Sequence, residues 1–140
     1  MKLKHHIATT LPIGISIWLI TNSIFYFVMA LFLGILVDVD HILDYLMEEK
    51  RFDSKHLFVK SYNHEYDRLI LCLHCYEYIL VVWIICCFSK KYEFAIIFTV
   101  SYLTHMIPDQ LSNNIRPLGY FFIYRIYKKF RMNDVFYPIE

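Results

Sequence analysis

Glycine and proline are scarce: three and four residues in a chain of 140. That scarcity argues against a fold of short strands joined by tight turns, which needs both residue types at its corners. An excess of one charge sign is also missing. The formal net charge is +1, and the basic residues of the C-terminal stretch are few and interleaved with aromatics that suit lipid headgroups better than nucleic acid. The four cysteines, Cys72, Cys75, Cys86 and Cys87, fall in one apolar stretch and form no spaced disulfide framework. Inside such a stretch thiols act as small hydrophobes. The N-terminus has basic residues, Lys2 and Lys4, before an apolar run. It lacks a small-residue cleavage site, and the apolar run continues to Val37, so a removed leader is not the expected reading.

What is abundant is apolar side chain. Hydrophobic residues make up 58% of the chain, too many for an ordinary soluble domain, and charges concentrate between Asp44 and Arg68. Residues 7–37 are apolar except at Thr21-Asn22-Ser23. Either one tilted helix crosses a bilayer here, or those three residues turn the chain between two shorter helices. Residues 44–68 read as a polar connection whose aromatics suit a water–lipid boundary. Within it, His56 and His64 read as loop histidines.

Leu69–Phe88 is long enough to span, Ser89-Lys90-Lys91-Tyr92-Glu93 reverses the chain, and Phe94–Ile107 returns, interrupted at Pro108. Residues 115–131 are basic and aromatic without acids, as in a helix lying on an anionic membrane surface. The expected fold is therefore all-α: one small integral membrane domain of two antiparallel helical hairpins (7–37 and 69–111) with an interfacial C-terminal segment. Basic residues are sparse at the Lys90-Lys91 turn and frequent at the other end, which by the positive-inside rule faces the cytoplasm.

Polar residues break the apolar runs at defined places. Leu33-Gly34-Ile35-Leu36-Val37 ends in Asp38-Val39-Asp40-His41, and on a helix Asp38 and His41 share a face. His74 and Glu77 are three apart, and His105 and Asp109 are four apart, so each pair can address one point. Antiparallel chain direction returns His105 and Asp109 to the end where His74 begins. If the first stretch is also a hairpin, His5 and His6 join them. Each residue alone could serve as an interfacial cap. Together, Asp38, Asp40, His41, His74, His105 and Asp109, with His5 or His6, form the ligand set of zinc, manganese or iron, for one or two ions. Such an ion brings the pKa of water toward about 7, and a nearby carboxylate takes the proton. Glu77 and Asp40 are the candidates for that role, Glu77 alternatively as a bridging ligand. Lys60, Arg68 and Arg116 are candidates for holding a phosphate.

Leu33 to His41 resembles the Leu-Pro-Asp-x-Asp-His stretch of the membrane-bound metal-dependent hydrolases, with Val37 at the proline. Ser101-Tyr102-Leu103-Thr104-His105-Met106-Ile107-Pro108-Asp109 is similar to that family's Gly-Tyr-x-x-His-x-x-x-Asp, with Ser101 at the glycine. His74 matches its central histidine, followed by Cys75 rather than serine, and His5 or His6 its N-terminal one. A more distant likeness is to zinc-dependent phospholipases C. The resemblance implies metal-dependent hydrolysis; the expected substrate is a phosphoester in a lipid or amphiphile, which a site at the membrane face would meet by lateral diffusion. Two other classes fit the same residues: a metal-stabilised membrane scaffold without turnover, and a proton or ion relay.

Overall fold

A computed structural model describes residues 3–63 and 66–137. The elements are α1 (Leu3–Thr21), α2 (Ile24–Ile35), one 3₁₀ turn (Leu36–Asp38), α3 (Val39–Glu49), α4 (Ser54–Asn63), α5 (Glu77–Ser89), α6 (Tyr92–Ser112), α7 (Phe122–Tyr127) and α8 (Met132–Val135). The described residues contain no strand, only isolated bridges at Arg68–Arg131 and Ile115–Phe136. All-α is therefore the class. The chain divides into two units, Met1–Val37 with Tyr76–Ser112, and Asp38–Cys75 with Asn113–Glu140.

The first unit holds α1, α2, α5 and α6, with α6 packed against each of the other three. Thr21-Asn22-Ser23 is a turn, with Asn22 at φ 51°, so residues 7–37 form a hairpin and not one long helix. Asparagine tolerates this left-handed conformation better than most side chains. Ile17, Ala30 and Ile97 form a small core where α1, α2 and α6 meet. Farther along, Gly34 lets α2 close on α1: a Cβ there would lie 2.2 Å from Thr10 Oγ1. The Thr10 hydroxyl donates to the Gly34 carbonyl at 3.2 Å. On the other side of α6, Trp83 Nε1 donates to Thr99 Oγ1 at 3.0 Å and the Tyr76 hydroxyl to Gln110 Oε1 at 2.5 Å.

The outer surface of this unit is apolar: Ile20 is 83% exposed, Phe88 88% and Leu111 82%, with Leu80, Ile84, Ile96 and Val100 also exposed. Among the described residues one helical stretch, Ile24–Glu49, is long and apolar enough by length and composition to cross a membrane.

Two expectations change here. Leu69–Phe88 is not one spanning helix, because α5 begins only at Glu77 and has 13 residues. At 1.5 Å per residue that is roughly 20 Å, short of a ~30 Å hydrocarbon layer. The residues before it are held in a non-helical loop by the side chains of Asp40, Asp44 and Arg125. Pro108 does not interrupt α6, which runs through it to Ser112. The proline forgoes one backbone bond, and the turns on either side hold the helix.

The second unit holds α3, α4, the loop through residue 75, α7 and α8. The Leu69 amide donates to the Phe130 carbonyl at 3.0 Å and the Met132 amide to Asp67 O at 3.3 Å, stitching the loop to the C-terminal segment. That segment is not a continuous surface helix. Only Phe122–Tyr127 and Met132–Val135 are helical, and Arg125, one of its basic residues, is fully buried. The polar connection 44–68 is likewise structured. Lys60, on α4, donates to Glu48 Oε1 at 2.6 Å and to Glu49, and lies over the Tyr66 ring. Burial alone would lower the Lys60 pKa, but the two carboxylates overcome it and raise it. The Tyr66 hydroxyl is pushed up by burial.

Candidate metal centre

In the second unit the start of α3 and the loop before residue 75 bring four side chains together. The 3₁₀ turn and first turn of α3 carry Asp38, Asp40 and His41, and His74 comes from the loop. His74 is fully buried and Asp40 nearly so. Asp40 Oδ2 accepts the Leu73 amide at 2.9 Å and His74 Nδ1 at 2.9 Å. A carboxylate acceptor requires the proton on Nδ1, which leaves Nε2 of a neutral imidazole with its lone pair. Asp40 therefore sets the tautomer of His74, the arrangement that supports metal-ligating histidines.

His74 Nε2 lies 3.5 Å from Asp38 Oδ1, and the same oxygen lies 3.8 Å from His41 Nε2. These separations exceed the usual N–H···O range. The first matches the edge of a tetrahedron drawn around an ion bonded at 2.0–2.2 Å, about 3.3–3.6 Å, and the second is slightly longer. An oxygen and a lone-pair nitrogen facing each other need a proton or a cation between them. Independently, ligand atoms of Asp40, His41 and His74 all lie within 4.8 Å of one another. Buried Asp40 Oδ1 has no hydrogen-bond partner among the described residues. The donor set and the spare carboxylate oxygen fit a divalent metal.

The loop that presents His74 is fixed from both sides of its backbone. Asp44 Oδ2 accepts the Ile70 and Leu71 amides at 3.1 and 2.8 Å. Arg125 Nη1 donates to the carbonyls of Ile70 and Leu71 at 2.5 and 2.9 Å. Its Nη2 reaches the His74 carbonyl at 2.7 Å and Cys75 Sγ at 3.0 Å. Leu71 adopts φ 46°, a strained value for leucine that these bonds hold in place. The Tyr120 ring lies 5.1 Å from the His74 ring.

The first unit carries a second set of the same residue types. His6, His105 and Asp109 are all buried. The His6 and His105 rings stack at 4.1 Å, and His6 Nε2 is 3.5 Å from Asp109 Oδ1. His105 Nδ1 meets the Gly34 carbonyl at 3.1 Å, so it carries the proton and Nε2 is left as an acceptor. The i,i+4 spacing of His105 and Asp109 works as the sequence implies, because α6 is continuous across Pro108. Of the two N-terminal histidines, His6 is buried and His5 exposed; neighbours on a helix point about 100° apart.

Other sequence candidates lie elsewhere. His74 is not on a helix with Glu77; Glu77 occupies the first turn of α5, where a carboxylate complements the helix dipole. Lys60 is committed to Glu48 and Glu49, so a phosphate role for it is withdrawn. Arg116 donates to the carbonyls of Phe136 and Asn133 and covers the Tyr137 ring. Arg68 is exposed. His56 is on α4 and pairs with the Tyr45 hydroxyl at 3.1 Å. His64 lies outside the described residues. None of the four cysteines is in a disulfide.

Sequence reasoning missed Asp44 and Arg125. Asp44 was legible as the residue one turn after Asp40, and Arg125 as the single charge in Phe121-Phe122-Ile123-Tyr124-Arg125-Ile126-Tyr127. Compared with protein-family models, curated proteins and solved structures, the chain matches none.

Proposed function

We propose that this chain is a membrane-embedded, metal-dependent hydrolase acting on a phosphoester in a lipid or amphiphile. The observation that carries the reading is Asp38 Oδ1 facing His74 Nε2 at 3.5 Å while Asp40 holds the opposite nitrogen of the same ring. Asp38 and His74 would hold the ion, with His41 Nε2 3.8 Å from the same Asp38 oxygen, and Asp40 would keep His74 in the ligating tautomer. The nitrogen–oxygen donor set suits zinc, with manganese and iron as alternatives. A bound ion would supply Lewis acidity and a water whose pKa falls to about 7. Of the three basic residues considered for phosphate, Arg68 is the one not committed to a carboxylate or to the C-terminal backbone.

Membrane embedding is supported by the apolar exterior of the first unit, whose exposed side chains would meet lipid. We assign the apolar exteriors of α1, α2, α5 and α6 to the bilayer, which α5 enters without crossing on its own length, and the ends of these helices opposite the Lys90-Lys91 turn to its cytoplasmic side. The basic residues of 50–60 and 116–131, against only Lys90 and Lys91 at the far turn, support that side. Substrate would arrive by diffusion within the leaflet.

The test is elemental analysis of detergent-purified protein beside His74→Ala and His105→Ala. We expect one or two equivalents of zinc, manganese or iron in the wild type and loss in His74→Ala. His105→Ala then reports whether the first unit's histidine contributes to metal retention. A wild type that stays metal-free after reconstitution would sink the proposal. With metal present, phospholipid and polyprenyl-phosphate substrates are screened against stripped and reloaded protein. No turnover of either class would leave a metal-binding membrane protein without the phosphoesterase activity.

A further inference from the structure

Arg125 is a buried cation whose contacts are uncommon for one. Its side chain is fully shielded, yet among the described residues its hydrogen bonds go to three backbone carbonyls and a sulfur, not to a carboxylate. Burying a charge is expensive unless each donor is used, and Nε has no partner among the described residues. Such an arrangement is poor as a stability device. Apolar side chains of similar volume usually serve stability as well or better.

Its acceptors explain it. All four belong to residues 70–75, and the nearest to the proposed centre is the carbonyl of His74 itself. The other face of the same loop is taken by carboxylates: Asp44 holds the Ile70 and Leu71 amides, and Asp40 holds Leu73 and the His74 ring. The His74 amide donates to Leu71 O at 3.0 Å, so the peptide groups on both sides of the ligand are fixed. A planar guanidinium can bridge carbonyls on successive turns of a loop in a way that a single ammonium cannot.

We infer that Arg125 is a positioning residue for the metal centre, clamping the 70–75 loop so that His74 Nε2 stays directed at Asp38. This rests on the metal reading of the same site. It also gives the C-terminal segment a function, since residues far along the chain set the geometry of a ligand 51 positions earlier.

The experiment uses the full chain in detergent, with Co²⁺ as the probe. Visible absorption follows Co²⁺ titration of the wild type and of Arg125→Lys, and unfolding of both is recorded in chelator. Arg125→Lys is expected to bind Co²⁺ about 10–100-fold more weakly, the usual consequence of losing a group that orients a ligand. Its absorption band should also change shape. Because that variant can fail to fold, the wild type is measured independently by hydrogen exchange. Metal held by a clamped loop must in turn hold the clamp. At Co²⁺ 100-fold above its Kd, amides of 70–74 and α7 should slow together by about 100-fold. A lower unfolding midpoint with unchanged Co²⁺ affinity, or α7 exchange indifferent to Co²⁺, overturns the positioning role alone. A wild type that binds no Co²⁺ overturns the metal reading and this inference with it.

Discussion

The two units place the same residue types by opposite means. In the first, His6, His105 and Asp109 stand on regular helices, positioned by helical spacing and by the close approach at Gly34. In the second, His74 stands on an irregular loop, positioned by side chains that bond its backbone. Helical placement needs only packing and tolerates change at any one polar residue. Loop placement depends on a few charged groups, and losing one leaves buried amides or carbonyls without partners. The second unit should therefore be the more fragile in function and the first in insertion and packing.

The largest effect should come from the ligands. His74→Ala is expected to remove bound metal and any hydrolysis that depends on it. Asp40→Asn should weaken binding by about 10–100-fold, because the carboxamide is a poorer partner for His74 Nδ1–H. Titration with metal-buffered solutions separates the two. Equal, near-zero effects of both would show that the second unit holds no ion.

Next comes the outer face of the first unit. Ile84 on α5 is exposed. In water, Ile84→Asp at such a position changes stability by about 0.5 kcal/mol or less. In a bilayer it costs about 2.5–3.5 kcal/mol by insertion scales. Val59 on α4 of the second unit is exposed too, and Val59→Asp serves as the internal control. Membrane-fraction yield and unfolding in bicelles should fall for Ile84→Asp and hold for Val59→Asp. Indifference of both would argue against the bilayer assignment of α5.

A smaller loss is expected from Gly34→Ala, because the added methyl would collide with Thr10. Overpacking of this kind costs about 1–3 kcal/mol. Thr10→Ala in the same chain should recover part of it, since the collision is with that side chain. Thermal unfolding of the two single variants and the pair checks this, and the coupling between them measures how tightly α1 and α2 are joined.

How much was legible follows the same division. Both hairpin turns could be read, because Thr21-Asn22-Ser23 and Ser89-Lys90-Lys91 interrupt apolar runs with turn-forming or charged residues. His105 with Asp109 and Asp38 with His41 were legible as helical pairs for the same reason. The 69–76 loop was not. Leu69-Ile70-Leu71-Cys72-Leu73 has the composition of a membrane helix, and bonds from Asp40, Asp44, Arg125 and the Phe130 carbonyl hold it otherwise. The side-chain partners lie 26 to 55 residues away, beyond any local pattern. The choice of His6 over His5 was hidden as well. Adjacent histidines differ only in helical phase, and a two-residue pattern does not reveal it.

The smallest predicted effect tests whether every charged contact in the second unit matters as Arg125 does. Lys60 bonds Glu48 and Glu49, whose side chains are each 29% exposed. Solvent reaches this cluster and weakens it, unlike the shielded bonds around His74. Lys60→Met keeps the apolar stem over Tyr66 and leaves two carboxylates that can turn toward water. We expect a loss of about 1 kcal/mol, shrinking in 0.5 M salt (roughly a 4 Å Debye length), with metal affinity unchanged. A loss above about 3 kcal/mol, the cost of breaking a buried pair, would put this cluster in the same class as the loop clamp. The second unit would then depend on charge throughout, and the contrast with the first would lie in the units as wholes, not in how one histidine is held.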